Sequence, residues 1–176
     1  SIATEKKEKF IFIIDEWDYI LTQQASQLSG MIETYEPYLH VLFDYVRLNT
    51  KFKKFGLQET WAYGENMLYR SLFEMYNCDC EYMFDRVHDA YYKAAENYDN
   101  WLIVRSGDII RQAKKAFDVS FYEEADFHMG GLGCYLIGAN LVRTISGEPL
   151  TGVYVNEEYD ENLLIKIVDF VNEFHK

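Results

Sequence analysis

The chain has 176 residues and carries 29 acidic against 17 basic side chains, for a formal net charge of −12 at pH 7. A surface this acidic repels nucleic acid and anionic membranes and attracts basic proteins. The sequence therefore argues against the first two as direct partners. No apolar run reaches the 18 residues that a transmembrane helix requires. An odd count of three cysteines favours free thiols in a reducing cytoplasm.

Helical periodicity dominates the first half of the chain. Apolar residues spaced by three and four predict a first helix that presents Phe10, Ile13, Ile14, Trp17 and Leu21. A second helix, with Pro37 in its first turn, presents Tyr35, Leu39, Leu42 and Val46. The basic segment 49–56 predicts a loop. A third helix presents Trp61, Leu68, Leu72 and Met75.

The second half continues the same pattern. A fourth helix, capped near Asn77 and Asp79, presents Phe84, Val87, Tyr91 and Tyr98. A fifth is expected over 99–117, although residues 101–104 also fit a short strand. The capping-box spacing of Ser120 and Glu123 predicts a sixth helix, which Gly147 and Pro149 end. Residues 150–156 are the best strand candidate. A last helix presents Leu163, Ile167, Phe170 and Phe174.

These elements together predict an all-α fold. We expect one domain over residues 1–176, built as a helical bundle or orthogonal array of about six or seven helices. At most one short strand, near 150–156, is expected. A chain of this length normally forms a single domain with a sizeable core.

Three histidines each follow a carboxylate by one helical turn, a spacing that places both groups on one helix face. Helical bundles that hold two iron or manganese ions use pairs of this kind. A metal-carboxylate enzyme that binds Fe, Mn or Zn is therefore one alternative, and it requires the pairs to converge. Solvated local ion pairs are the other reading, with no cofactor. The six residues are Glu36, His40, Asp85, His88, Glu124 and His128.

The glycine-rich stretch 130–138 supports a further alternative. Gly130, Cys134 and Gly138 recur every four residues and make a smooth strip on a helix. Such a strip either packs against another helix or lines the pocket of a ligand-binding or sensor domain. Each glycine costs up to about 1 kcal/mol of helix propensity relative to alanine, so a close contact is expected to offset that cost.

The favoured functional hypothesis is a non-catalytic protein that binds and masks a basic partner, as an immunity protein, antitoxin or anti-defence inhibitor does. It rests on the charge, on 15 tyrosines and on the absence of a catalytic motif. Tyrosine and tryptophan are the usual anchors of protein contact surfaces. A homodimer is also compatible with these features. The candidate contact residues are Trp17, Asp18, Tyr122, Glu123, Glu124 and Asp126.

Overall fold

The computed structural model, which describes residues 16–153 and 158–176, contains a parallel β-sheet. Its strands are β1 (Glu16–Thr22), β2 (Lys51–Gln58) and β3 (Leu102–Val104), in the order β1-β2-β3. Both strand pairs are parallel. The all-α prediction is therefore wrong, and the fold is mixed α/β.

The basic segment predicted as a loop is the first half of β2. Its lysines lie at the exposed end of the strand, where Lys51 Nζ is 2.7 Å from Glu16 Oε1 and Lys53 pairs with Asp18. Side chains alternate between exposed and half-buried there, and burial becomes continuous from Phe55 to Leu57. A short segment in which lysines alternate with apolar residues resembles a loop in sequence. It forms a strand because it pairs with β1, a segment about 35 residues away.

The described part of the chain has six α-helices. They are α1 (Tyr38–Asn49), α2 (Arg70–Phe73), α3 (Cys80–Glu96), α4 (Ser106–Ala116), α5 (Gly131–Ser146) and α6 (Glu161–Phe174). Short 3-10 turns occupy Ser26–Leu28, Ile32–Thr34 and Glu74–Tyr76. The second, fourth and last predicted helices are confirmed as α1, α3 and α6. No helix in the described ranges is long and apolar enough to cross a membrane.

Four other predicted elements differ from the structure. The first predicted helix contains β1, and its residues 10–14 lie outside the described ranges. The third shrinks to the single turn of α2. The fifth begins only at Ser106, since the alternative strand reading of the preceding segment is correct. Residues 150–153 form no strand, and residues 154–156 of that prediction lie outside the described ranges.

The sixth predicted helix begins eleven residues later than its capping signal, at Gly131. Ser120 Oγ accepts a hydrogen bond from the amide of Tyr122 at 3.2 Å and so stabilises a local turn. Ser and Asp side chains favour such turns as readily as helix starts. The predicted end is correct, because Gly147 adopts a left-handed φ of 72° and closes α5.

Two apolar clusters make up most of the core of the described residues. One packs α1 and α3 with the segment that follows β2, and it includes Tyr63, Met83 and Tyr91. The other packs α4, α5 and α6 around Ile109 and Leu136. Between them, the segments that follow β2 and β3 come together at the carboxyl edge of the sheet. In open α/β sheets, this edge is where ligands usually bind.

Candidate metal centre

Two acidic residues lie where strands β2 and β3 end. Glu59 directly follows β2, and its amide extends the sheet by donating to Val104 O at 3.0 Å. Asp108 lies in the first turn of α4, just after β3. Carboxyl ends of parallel strands share one edge, so the fold brings these carboxylates together across 49 residues of sequence.

His88 reaches the same place from the middle of α3. Its Nδ1 lies 2.9 Å from Asp108 Oδ1 and 3.6 Å from Glu59 Oε1. Each residue offers one ligand atom, and these atoms all lie within 4.8 Å of one another. Within residues 16–153 and 158–176, no other group of three His, Cys, Asp or Glu side chains meets this criterion. We call Glu59, His88 and Asp108 the acid–histidine cluster.

Glu59 is fully buried and only half of its carboxylate is satisfied. Oε2 accepts a hydrogen bond from the Asp108 amide at 2.9 Å, whereas Oε1 has no hydrogen-bond partner among the residues that the structure describes. Burial, followed by repulsion from the Asp108 carboxylate, raises the pKa of Glu59 to about 8. An unpartnered buried oxygen is costly. A cation at this point would satisfy Oε1 and relieve the repulsion.

Arg105 and Tyr92 complete the surroundings of the cluster. Arg105 Nε donates to Asp108 Oδ2 at 2.8 Å, and the ring of Tyr92 lies 4.3 Å from that of His88. Partial burial alone would lower the pKa of Arg105, but the hydrogen bond to Asp108 raises it. Arg105 thus occupies Oδ2 and leaves Oδ1 facing His88.

A cleft of about 500 Å³ opens between α3 and α4 beside the cluster. His88 and Asp108 both line it, and the His88 side chain is 37% exposed while that of Asp108 is 6% exposed. Glu59 lies behind them, away from solvent. A metal ion held by the three residues would be enclosed on the protein side and accessible from the cleft.

The donor set suits a transition-metal ion. Ligand atoms in a tetrahedral zinc site with bonds of 2.0–2.1 Å are about 3.3 Å apart. The separations of 2.9 and 3.6 Å from His88 Nδ1 bracket that value. One imidazole and two carboxylates also match the nitrogen and oxygen ligands that zinc accepts. Three protein ligands leave one position for water or a substrate.

Only one of the three acid–histidine pairs predicted from sequence contributes to this cluster, through His88. Its predicted partner, Asp85, instead lies 3.4 Å from Arg111. In the first pair, His40 Nε2 is 3.3 Å from Asp44 on the surface of α1. The third pair, Glu124 and His128, lies in the exposed loop before α5. The structure does not bring the three pairs together.

The predicted contact residues occupy two separate places. Trp17 and Asp18 lie at the beginning of β1, where Asp18 pairs with Lys53. The phenol of Tyr122 donates to Ala62 O at 2.8 Å, beyond the carboxyl end of β2. The length of the strands therefore separates the two groups.

The remaining contact candidates lie within the loop before α5. Glu123 and Glu124 are exposed, whereas the Asp126 carboxylate accepts a hydrogen bond from the Asn66 amide at 2.8 Å. Burial, followed by the neighbouring Cys80, raises the pKa of Tyr122 above its ordinary range. Tyr122 and Asp126 therefore both make contacts that stabilise the loop itself.

The glycine-rich stretch packs against neighbouring segments at its amino-terminal end. A Cβ at Gly133 would lie 2.2 Å from Phe121 O, and one at Gly131 would collide with the phenol of Tyr159. At Gly138, no atom of the described residues outside the local helix backbone lies within 4 Å of that position. The first turn of α5 thus requires small residues for packing, whereas position 138 does not.

Sequence reasoning missed Glu59 and Asp108. Neither belongs to a recognisable motif. The sequence pattern places Glu59 just before the predicted third helix and Asp108 within the predicted fifth helix. The available signal was polar residues directly after β-branched or apolar runs, at LQET and LIVRSGD. These polar residues indicate a binding site only when the apolar runs are known to be parallel strands of one sheet.

The chain belongs to the DUF4886 family, described as a domain of unknown function, which matches residues 4–146. Its fold is similar to that of a DUF4886 family protein from Bacteroides uniformis ATCC 8492, solved by crystallography, with a TM-score of 0.82 and 26% sequence identity. The match covers 89% of this chain and 61% of that chain, so the chain spans about three fifths of the length of that relative. No curated protein matches the sequence.

Proposed function

We propose that this chain is a metal-binding α/β domain in which Glu59, His88 and Asp108 hold one divalent transition-metal ion, with zinc as the best fit. The observation that carries the proposal is the unpartnered Oε1 of buried Glu59, 3.6 Å from an imidazole nitrogen that also contacts Asp108. A bound ion would supply Lewis-acid chemistry to a small ligand in the cleft between α3 and α4.

The local fold supports this role. Glu59 and Asp108 follow two adjacent strands, and His88 projects from a helix with a well-formed amino-terminal cap at Asp79. Rigid elements hold ligands more precisely than loops do. Arg105 donates a hydrogen bond to Oδ2 of Asp108, so Oδ1 is the oxygen of Asp108 that remains to bind the ion. Each of the three residues thus contributes one ligand atom from a different element of the fold.

The experiment is calorimetric titration of chelator-treated protein with zinc, with manganese as a second ion. We expect one equivalent of zinc to bind, and His88→Ala to weaken binding by at least about tenfold, as is common when a ligand is removed. Glu59→Gln tests the buried oxygen in the same way. His40→Ala is the matched control, since His40 also lies beside a carboxylate but on the exposed face of α1.

Three results would contradict the proposal: no zinc binding, equal affinity for zinc in His88→Ala and the wild type, or an equal loss in His40→Ala. Circular dichroism of each variant distinguishes loss of a ligand from loss of the fold.

A second candidate function, contact with a basic protein partner, is supported by a surface of α1. Five large apolar residues lie exposed on this helix, between 38% and 73% accessible: Tyr38, Val41, Leu42, Tyr45 and Leu48. Exposed apolar groups of this size often mark interaction sites. In a chain of net charge −12, the complementary partner is a basic amphipathic helix.

Binding of a lysine–leucine amphipathic peptide tests this second candidate. We expect Leu48→Gln, which removes apolar contact without adding charge, to weaken binding, and high salt to weaken it further. Leu68→Gln is the control, because Leu68 is similarly exposed at 67% but lies outside α1. Equal affinities of the two variants for the peptide would exclude α1 as the contact surface.

A further inference from the structure

The cleft beside the acid–histidine cluster has an unusual concentration of cations for this chain. Arg105, Arg111 and Lys115 all line it. Asp85, Asp89 and Asp108 also line it, so cations and acids are equal in number here, whereas the whole chain has 17 lysines and arginines against 29 acids. The cleft is therefore enriched in cations relative to the rest of the protein, and this enrichment favours an anionic ligand.

Both arginines are held in place by an acid and an aromatic ring. The guanidinium carbon of Arg105 lies 4.4 Å from the ring centroid of Phe174, while its Nε contacts Asp108. The guanidinium carbon of Arg111 lies 4.0 Å from the ring centroid of Phe84. Guanidinium groups fixed in this way retain further N–H donors, arranged in a plane that matches an oxyanion.

Lys115 differs from both arginines because it is exposed. Within the described ranges no carboxylate lies within 4.0 Å of its ammonium, whereas Arg111 contacts Glu81 and Asp85. Lys115 is thus the cation of this cleft whose charge is least compensated. It lies in the last turn of α4, ten residues from Arg105 at the other end of that helix.

Acids also line the cleft, and they limit the charge of the ligand. Asp85 is paired with Arg111, and Asp108 with Arg105 and His88. Asp89 also lines the cleft, and no ion pair to it is found in the described ranges. When a divalent ion compensates the two cluster carboxylates, the cations outnumber the remaining acids. A ligand with one compact anionic group fits this balance.

We propose that the cleft binds an oxyanion, the phosphate or carboxylate group of a small ligand, with one of its oxygens at the open position of the metal ion. This inference rests on the proposed function for the metal contact and for the surplus of cations, whereas Arg105, Arg111 and Lys115 line the cleft whether or not an ion is bound. Arg105, which contacts Asp108 in the cluster, would donate to a remaining oxygen. Lys115 would add its uncompensated positive charge from the other end of α4.

The test is calorimetric titration of the full chain with inorganic phosphate, and separately with acetate, in the zinc-loaded and metal-free states. Lys115→Met is expected to weaken phosphate binding about fivefold, the equivalent of one screened charge pair near 4 Å. It should leave zinc affinity unchanged. Lys166→Met is the matched control for net charge, since Lys166 is exposed on α6 outside the cleft.

A second variant is expected to change phosphate affinity in the opposite direction. Asp89→Asn removes an opposing charge and is expected to strengthen phosphate binding a few fold, whereas exposed Asp169→Asn on α6 should not. Stronger binding of phosphate than acetate identifies the ligand group as phosphate, and the reverse order identifies a carboxylate. Either order supports the oxyanion cleft when Lys115→Met weakens binding.

Failure of this inference differs from failure of the metal proposal. If zinc binds but Lys115→Met and Lys166→Met bind phosphate alike, the oxyanion cleft is overturned and the metal site stands. If zinc does not bind but Lys115→Met still weakens phosphate binding by the metal-free chain, the cleft stands and the metal site falls. Absence of phosphate and acetate binding in both states overturns the inference.

Discussion

Gly107 lies directly against Glu59: a Cβ at position 107 would be 3.0 Å from both Cδ and Oε2 of Glu59, and 2.4 Å from the carbonyl oxygen of Thr60. The first turn of α4 can therefore approach the end of β2 only without a side chain at this position. This contact places Asp108, the next residue, beside the buried carboxylate. The acid–histidine cluster thus depends on a residue that has no functional group.

We predict that Gly107→Ala destabilises the chain and disrupts the cluster. The added methyl group would meet backbone and a buried carboxylate, neither of which can move freely, so overpacking should lower the free energy of unfolding by about 1–3 kcal/mol. Urea denaturation measures this loss, and zinc titration of the variant should show weaker binding. An unchanged denaturation midpoint would show that the contact is more tolerant than the structure indicates.

Gly138→Ala is predicted to have the opposite effect. Gly138 is an exposed interior position of α5, and within the described part of the chain no atom outside the local helix backbone lies within 4 Å of the site where a Cβ would stand. Alanine should therefore gain only helix propensity, about 0.5–1 kcal/mol. Thermal and urea unfolding, run beside Gly107→Ala, provide the comparison. A destabilised variant would reveal a contact that the structure does not describe.

The metal-free chain should lose stability as pH rises toward 8, because of Glu59. Its folded pKa of about 8 exceeds the ordinary value of 4.5, so the folded chain binds more protons between these values. That contribution is fully present below pH 4.5 and is lost as pH rises through 8, with a slope of at most about 1.4 kcal/mol per pH unit. Glu59→Gln has no charge to lose. If the free energy of unfolding of the wild type and of Glu59→Gln changed equally with pH, this prediction would be contradicted.

His175 should titrate below its ordinary pKa of 6.5. Burial and then the cations Arg143 and Arg105 lower its pKa, and its Nε2 lies 2.8 Å from Asn140 Oδ1. Because the folded pKa is lowered, this residue contributes stability above pH 6.5 that is lost as pH falls through the folded value. NMR titration of the imidazole measures the midpoint. Arg143→Gln should raise it, and no change would exclude Arg143 as a cause.

The helices were largely predictable because their determinants are local. Leu163, Ile167 and Phe174 follow a 3.6-residue period, and Asp160 caps the helix by accepting from the Leu163 amide at 3.0 Å. The predicted apolar stripe of α1 includes Leu39 and Val46, and both are buried in the structure. The same helix carries a second, exposed apolar stripe, and periodicity cannot assign which of two such faces meets the core.

The sequence alone determined the acidic charge, the helices α1, α3 and α6, and the helix boundaries at Asp79 and Gly147, because these depend on neighbours within a few positions. Tertiary structure alone decided that Glu16–Thr22, Lys51–Gln58 and Leu102–Val104 pair as a parallel sheet. It also decided that Glu59 and Asp108 meet His88. Parallel pairing connects segments tens of residues apart through backbone hydrogen bonds that are common to all residue types. The local sequence therefore does not indicate which strands pair. The candidate site can be identified only once the strands are assembled and their carboxyl edge is known.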